Sequence, residues 1–111
     1  MQKFTSMTVQ EVRLEKTEGA VSVALAGGKT MNALSRMRLL GGYTVTTGAG
    51  AKAYLGADES KIIIVGANSA VAVTASPDGK KLEVKLTRGE AQLTDGGAGG
   101  KASNTVLGIR G

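Results

Sequence analysis

The chain reads as an all-β protein: about eight or nine short strands in a roll, solenoid-like or sandwich arrangement, with at most one short helical turn. Three observations predict this. Ile62-Ile63-Ile64-Val65 is a run of β-branched apolar residues, whose branched Cβ atoms suit extended, packed backbone better than helix. Lys81-Leu82-Glu83-Val84-Lys85-Leu86 alternates strictly between charged and apolar residues, the period of a half-buried strand. Seventeen glycines stand against one proline, a composition of tight turns, because glycine weakens helix interiors.

Taken in order, residues 1–8 read as a lead-in and 9–111 as a single domain. Met7 to Lys16 contains Val12 and Leu14 alternating with charges, a half-buried strand. Glu18-Gly19 turns the chain into the alternating Ala20 to Leu25, so the two segments read as a hairpin. Thr30 to Leu40 is ambiguous: Met31, Leu34 and Met37 fall at helical spacing, but Asn32, Ser35 and Gly41-Gly42 oppose a helix. Tyr43 to Thr47 returns to β-type residues, Gly48-Ala49-Gly50 turns, and Ala51, Ala53 and Leu55 share one face of the next strand. Asp58-Glu59-Ser60 is a polar corner before the isoleucine run, and Val71 and Val73 mark the strand after it. Ser76-Pro77-Asp78-Gly79 is a turn by composition: proline presets φ, and glycine accepts a positive one. Ala91-Gln92-Leu93 is a short strand, Gly96 to Gly100 a flexible loop, and Ser103 to Arg110 a last strand.

At 111 residues the chain is long enough for one core without covalent staples. It has neither Cys nor His, which removes disulfides, thiolate metal sites and the commonest general base. No apolar run reaches the roughly 18 residues that span a bilayer, and the first residues have no signal-peptide core. The formal charge is +5, and no acid falls between Glu18 and Asp58, whereas Lys29, Arg36, Arg38 and Lys52 do. This basic stretch is either a solvated face or a contact face for an anionic partner. Nucleic acid is a poor fit, because Phe4, Tyr43 and Tyr54 are the only aromatic residues and base stacking has no platform.

Several motif fragments fail on their mechanics. Gly28-Lys29-Thr30 resembles the end of a phosphate-binding loop, but the position that needs the first glycine is Val23. Gly48-Ala49-Gly50-Ala51-Lys52-Ala53 has dinucleotide-fingerprint letters without the helix that would hold a pyrophosphate. Asp58 and Glu59 are adjacent carboxylates with no third titratable group beside them in sequence. Nothing in the residues argues for catalysis, and none forms a metal or cofactor motif.

One family pattern does run through the chain in order. Leu40 to Gly48, containing Gly42-Tyr43-Thr44-Val45-Thr46-Thr47-Gly48, is similar to the G-x-x-V-x-T-G stretch of the FecR family. Lys52 to Leu55 and Asp58 to Ile62 resemble its strand, acidic turn and strand, although Asp58-Glu59 replaces the usual Asp-Asp or Asp-Gly pair. Ser69 to Val73, Leu82 to Gly89, and the terminal Val106 to Gly111 with its Ile-Arg-Gly resemble the remaining motifs, and Gly19 to Val23 resembles the opening one. The resemblance implies an extracytoplasmic, non-enzymatic β domain, anchored at the membrane or on the cell surface, that senses a signal through protein contacts. Its expected partner is a protein of the cell envelope, with an anionic wall polymer as the alternative and a structural spacer as a third role. The contact residues expected are Lys29, Arg36, Arg38 and Lys52 from the basic stretch, Tyr43 and Tyr54 as rings for saccharide stacking if the module binds a glycan, and Arg110. Either a monomer or a dimer exchanging its last strand across the Gly96 to Gly100 hinge fits this pattern.

Overall fold

The computed structural model describes residues 2–34 and 36–95. Among these residues there is no helix, and there are 11 strands: β1 (Gln2–Lys3), β2 (Ser6–Val9), β3 (Val12–Glu18), β4 (Val21–Ala24), β5 (Thr30–Asn32), β6 (Thr44–Thr47), β7 (Lys52–Ala57), β8 (Lys61–Val65), β9 (Ala70–Ala75), β10 (Leu82–Arg88) and β11 (Ala91–Asp95). All pairings are antiparallel. One sheet has five strands in the order β1-β11-β8-β7-β3, the other six in the order β2-β10-β9-β6-β4-β5. The sheets pack face to face as a sandwich, which resolves the roll, solenoid and sandwich alternatives.

Alternation decides which side chains fill the space between the sheets. Leu14, Leu55, Ile63 and Val65 come from the five-stranded sheet; Val9, Val23, Val45, Val71, Val73 and Val84 come from the other. Together they form one apolar cluster. Ala51, Ala53 and Leu55 share the inner face as their spacing predicts. The isoleucine run splits: Ile63 and Val65 are buried, whereas Ile62 and Ile64 are half-buried on the outer face.

Two strand–turn–strand readings survive as hairpins. β7 and β8 join through residues 58–60, and β9 and β10 through Ser76 to Lys81. The hairpin expected at Glu18-Gly19 does not form. β3 pairs with β7, and β4 pairs with β5 and β6, so the chain changes sheet there. Gly19 permits the crossing: its φ is +77°, and a Cβ would lie 3.0 Å from the Ala51 Cα. Met7 to Lys16 is likewise two strands in different sheets, broken at Gln10-Glu11. The described residues of Thr30 to Leu40 contain no helix; the segment starts as β5, because Met31 pairs with Val23 and packs partly buried against the core as a strand residue does.

The segment expected as a lead-in, 1–8, supplies strands to both sheets. β1 pairs with β11 and β2 with β10, and Phe4, at the crossing between them, is only 2% exposed. Opposite lies a matching closure in the connection after β5, where residues 36–39 run along the free edge of β3. The Leu14 N–H donates to the Met37 carbonyl at 2.8 Å, and the Leu39 N–H to the Val12 carbonyl at 2.9 Å. Covering an edge in this way removes a template for unwanted strand pairing. The Gly96 to Gly100 loop and the strand expected over Ser103 to Arg110 lie outside the described residues.

Candidate functional site

Within the 33–43 connection, residues 36–39 are held against β3 by the backbone bonds with Val12 and Leu14, and their side chains alternate. Met37 and Leu39 turn inward, Leu39 to full burial, while Arg36 and Arg38 turn to solvent. Leu34 and Leu40, at its two ends, are 56% and 48% exposed and are the exposed large hydrophobic residues among those described. Arg36 has a φ of 69°, and its N–H donates to the Leu14 carbonyl. The Arg38 guanidinium pairs with Glu11 at 3.3 Å.

Beside Leu40 lies a cleft of about 350 Å³. Its apolar wall is Leu39, Leu40 and Leu82, and its rim holds Arg38, Lys80 and Lys81 against one carboxylate, Glu11. Two carboxylates in the backbone turns hold its shape. Asp78 Oδ1 accepts the Lys80 N–H at 2.9 Å and the Ser76 hydroxyl; these bonds hold the Asp78 carboxyl below its ordinary range, the Ser76 bond most strongly. Asp58 Oδ1 accepts the N–H groups of Gln10 at 2.8 Å and Glu11 at 3.2 Å. Its own N–H returns to the Glu11 carbonyl, and Arg13 donates to its carbonyl at 2.9 Å. The Asp58 carboxylate therefore ties the β7–β8 turn to the β2–β3 crossing, which a solvated corner would not do. Glu59 beside it is exposed.

The expected contact residues divide. Lys29 sits exposed in the β4–β5 turn, and Arg36 and Arg38 follow on the same closing side. Lys52 opens β7 opposite Glu18, at the other end of the sandwich, so the basic stretch does not make one face. Tyr43 packs half-buried against the core. Tyr54 lies on the outer face of the five-stranded sheet, next to Ile64 in register, with the Lys16 ammonium 5.2 Å from its ring. Arg110 lies outside the described residues. Sequence reading missed Leu34, Leu40, Lys80 and Lys81. The lysines were visible after the proline turn, but only the folded chain brings them beside Leu40.

Among the described residues no group of three carboxylate, imidazole or thiol side chains converges on a point that could hold a metal ion. No helix among the described residues is long and apolar enough to cross a membrane. Compared with known proteins, the chain matches no protein-family model, no curated protein and no solved structure.

Proposed function

We propose that this chain is a protein-contact module of FecR-like type that works outside a bacterial cell, without chemistry of its own, by presenting the 33–43 connection and the adjoining cleft to an envelope protein. The observation that carries it is that Leu34 and Leu40 are both held out to solvent on one connection, Leu34 two residues before the exposed Arg36 and Leu40 at the cleft beside Arg38, Lys80 and Lys81. An apolar group exposed within a charged rim is the composition of a recognition surface, and connections on a rigid scaffold are where such surfaces are carried. The ordered run of FecR-like motifs supports an extracytoplasmic setting.

The chain has no Cys, so a photo-crosslinker can be placed at one defined point. Lys80→Cys places it at the cleft and Ala49→Cys at the opposite end of the sandwich. The expected result is one envelope protein captured from position 80 but not from 49, and lost when Leu34 and Leu40 are both changed to Ser. Equal capture at both positions overturns the proposal. Recovery of wall polymer alone, released by salt, favours the polymer-binding alternative.

A further inference from the structure

The six-stranded sheet ends in β5, and the phase of its hydrogen bonds fixes what that edge offers. The Leu25 N–H donates to the Lys29 carbonyl at 2.7 Å, and the Ala33 N–H to the Val21 carbonyl at 3.0 Å. These pairs flank Val23 and Met31, which lie opposite each other. Antiparallel pairing alternates the direction of backbone groups, so residues 29, 31 and 33 face β4. Thr30 and Asn32 therefore direct their N–H and C=O groups away from the sheet, where β5 has no further neighbour among the described residues.

We propose that this edge binds an extended, acidic segment of a partner protein, which adds to the sheet as its next strand. The proposal rests on the contact-module reading and names the partner's chemistry. Main-chain bonds at Thr30 and Asn32 supply the docking geometry. Lys29 before the strand and Arg36 after it supply the charge preference: both are exposed, and neither has an ion-pair partner among the described residues. The outer face beside the edge carries Ser22, Thr44 and Thr46 and no acid that would repel the guest. Leu34, 56% exposed at the end of the edge, gives an apolar contact for a side chain of the added strand. A second copy of this chain is the poorer occupant. An antiparallel copy would bring Lys29 and Arg36 of each chain towards those of the other, and like charges facing across strands destabilise the pair.

The probe is a fluorescein-labelled peptide of alternating Val and Thr with two Glu at each end, titrated with the whole chain and followed by anisotropy. The same peptide with Lys ends is the control. Binding of the acidic peptide that weakens with salt is expected, together with shifts of the Thr30 and Asn32 amides in NMR spectra. Asn32→Pro should weaken binding by at least about tenfold while leaving the unfolding midpoint near the native value, because proline removes an N–H that the fold does not use. Changing Lys29 and Arg36 to Glu should transfer the preference to the Lys-ended peptide. Equal binding of both peptides, no binding, or amide shifts confined to Leu40 and Lys81 would overturn the proposal. Capture from position 80 without binding at β5 would leave the contact module standing and move its recognition to the cleft.

Discussion

Thr47 offers the sharpest test of what holds the end of the sandwich opposite the cleft. Its side chain is 1% exposed, and Ser69, which it meets, is fully buried. The Thr47 hydroxyl donates to the Gly66 carbonyl at 2.6 Å and accepts the Ser69 N–H at 2.9 Å. Ser69 Oγ in turn accepts the Glu90 N–H at 3.0 Å and donates to the Ala67 carbonyl at 2.9 Å. Two crossings between the sheets, β8 to β9 and β10 to β11, are thus pinned to β6. Gly89 fits there because a Cβ would lie 2.7 Å from the Ser69 Cα, and its φ is +84°. Thr47→Val keeps the shape but removes the hydroxyl, leaving a buried N–H without an acceptor. A lost bond is worth about 1 kcal/mol and an unsatisfied buried donor about 1–3 kcal/mol, so the variant should lose roughly 2–3 kcal/mol. At a few degrees per kcal/mol for a domain of this size, the unfolding midpoint should fall by about 10 °C. Thr47→Ser retains the hydroxyl and should lose only about 1 kcal/mol for the methyl group. Urea unfolding followed by circular dichroism measures both, and an unchanged denaturant slope would show that stability changed without a change in the surface exposed on unfolding. If Thr47→Val is as stable as the native chain or as Thr47→Ser, the hydroxyl does not hold the crossings.

Phe4→Ala should cost about 3–5 kcal/mol in the same urea experiment, because it empties a buried aromatic site between the sheets; a lead-in residue would show no change. Asp58→Ala should destabilise by roughly 1–2 kcal/mol through the lost acceptor for Gln10 and Glu11. Asp58→Asn, which keeps an oxygen and tolerates the φ of 53°, should lose less; equal losses would refute the role of the oxygen. The lowered pKa of Asp78 fixes the sign of a pH effect. A carboxyl with a depressed folded-state pKa stabilises the fold above the ordinary aspartate range, and that contribution disappears as pH falls through the depressed value. NMR titration should show the Lys80 amide following the Asp78 carboxyl in acid, and Ser76→Ala should move that midpoint upward; no movement would discount the Ser76 bond.

Strand identity was legible where one local signal sufficed. The alternation of Leu82 to Leu86 and the shared face of Ala51, Ala53 and Leu55 follow from a period of two, which any half-buried strand imposes. The Pro77-Asp78-Gly79 turn was legible because its residues preset the backbone. The 30–40 segment was misleading because Met31 and Met37 point inward for different reasons, one from a strand and one from a chain lying along a sheet edge. Neither is a helical face.

Sequence alone determined that this protein is all-β, that its core is aliphatic, and where most strands lie, because side-chain branching and alternation act between neighbouring residues. Tertiary structure alone decided which turns are hairpins and which are crossings, since Glu18-Gly19 and Ser76 to Gly79 both read locally as turns. It also decided that Phe4 belongs to the core, that Asp58 is a latch, and that Leu40 meets Lys80 and Lys81. Each of these depends on contacts between residues distant in the chain, and such contacts leave no period in the sequence.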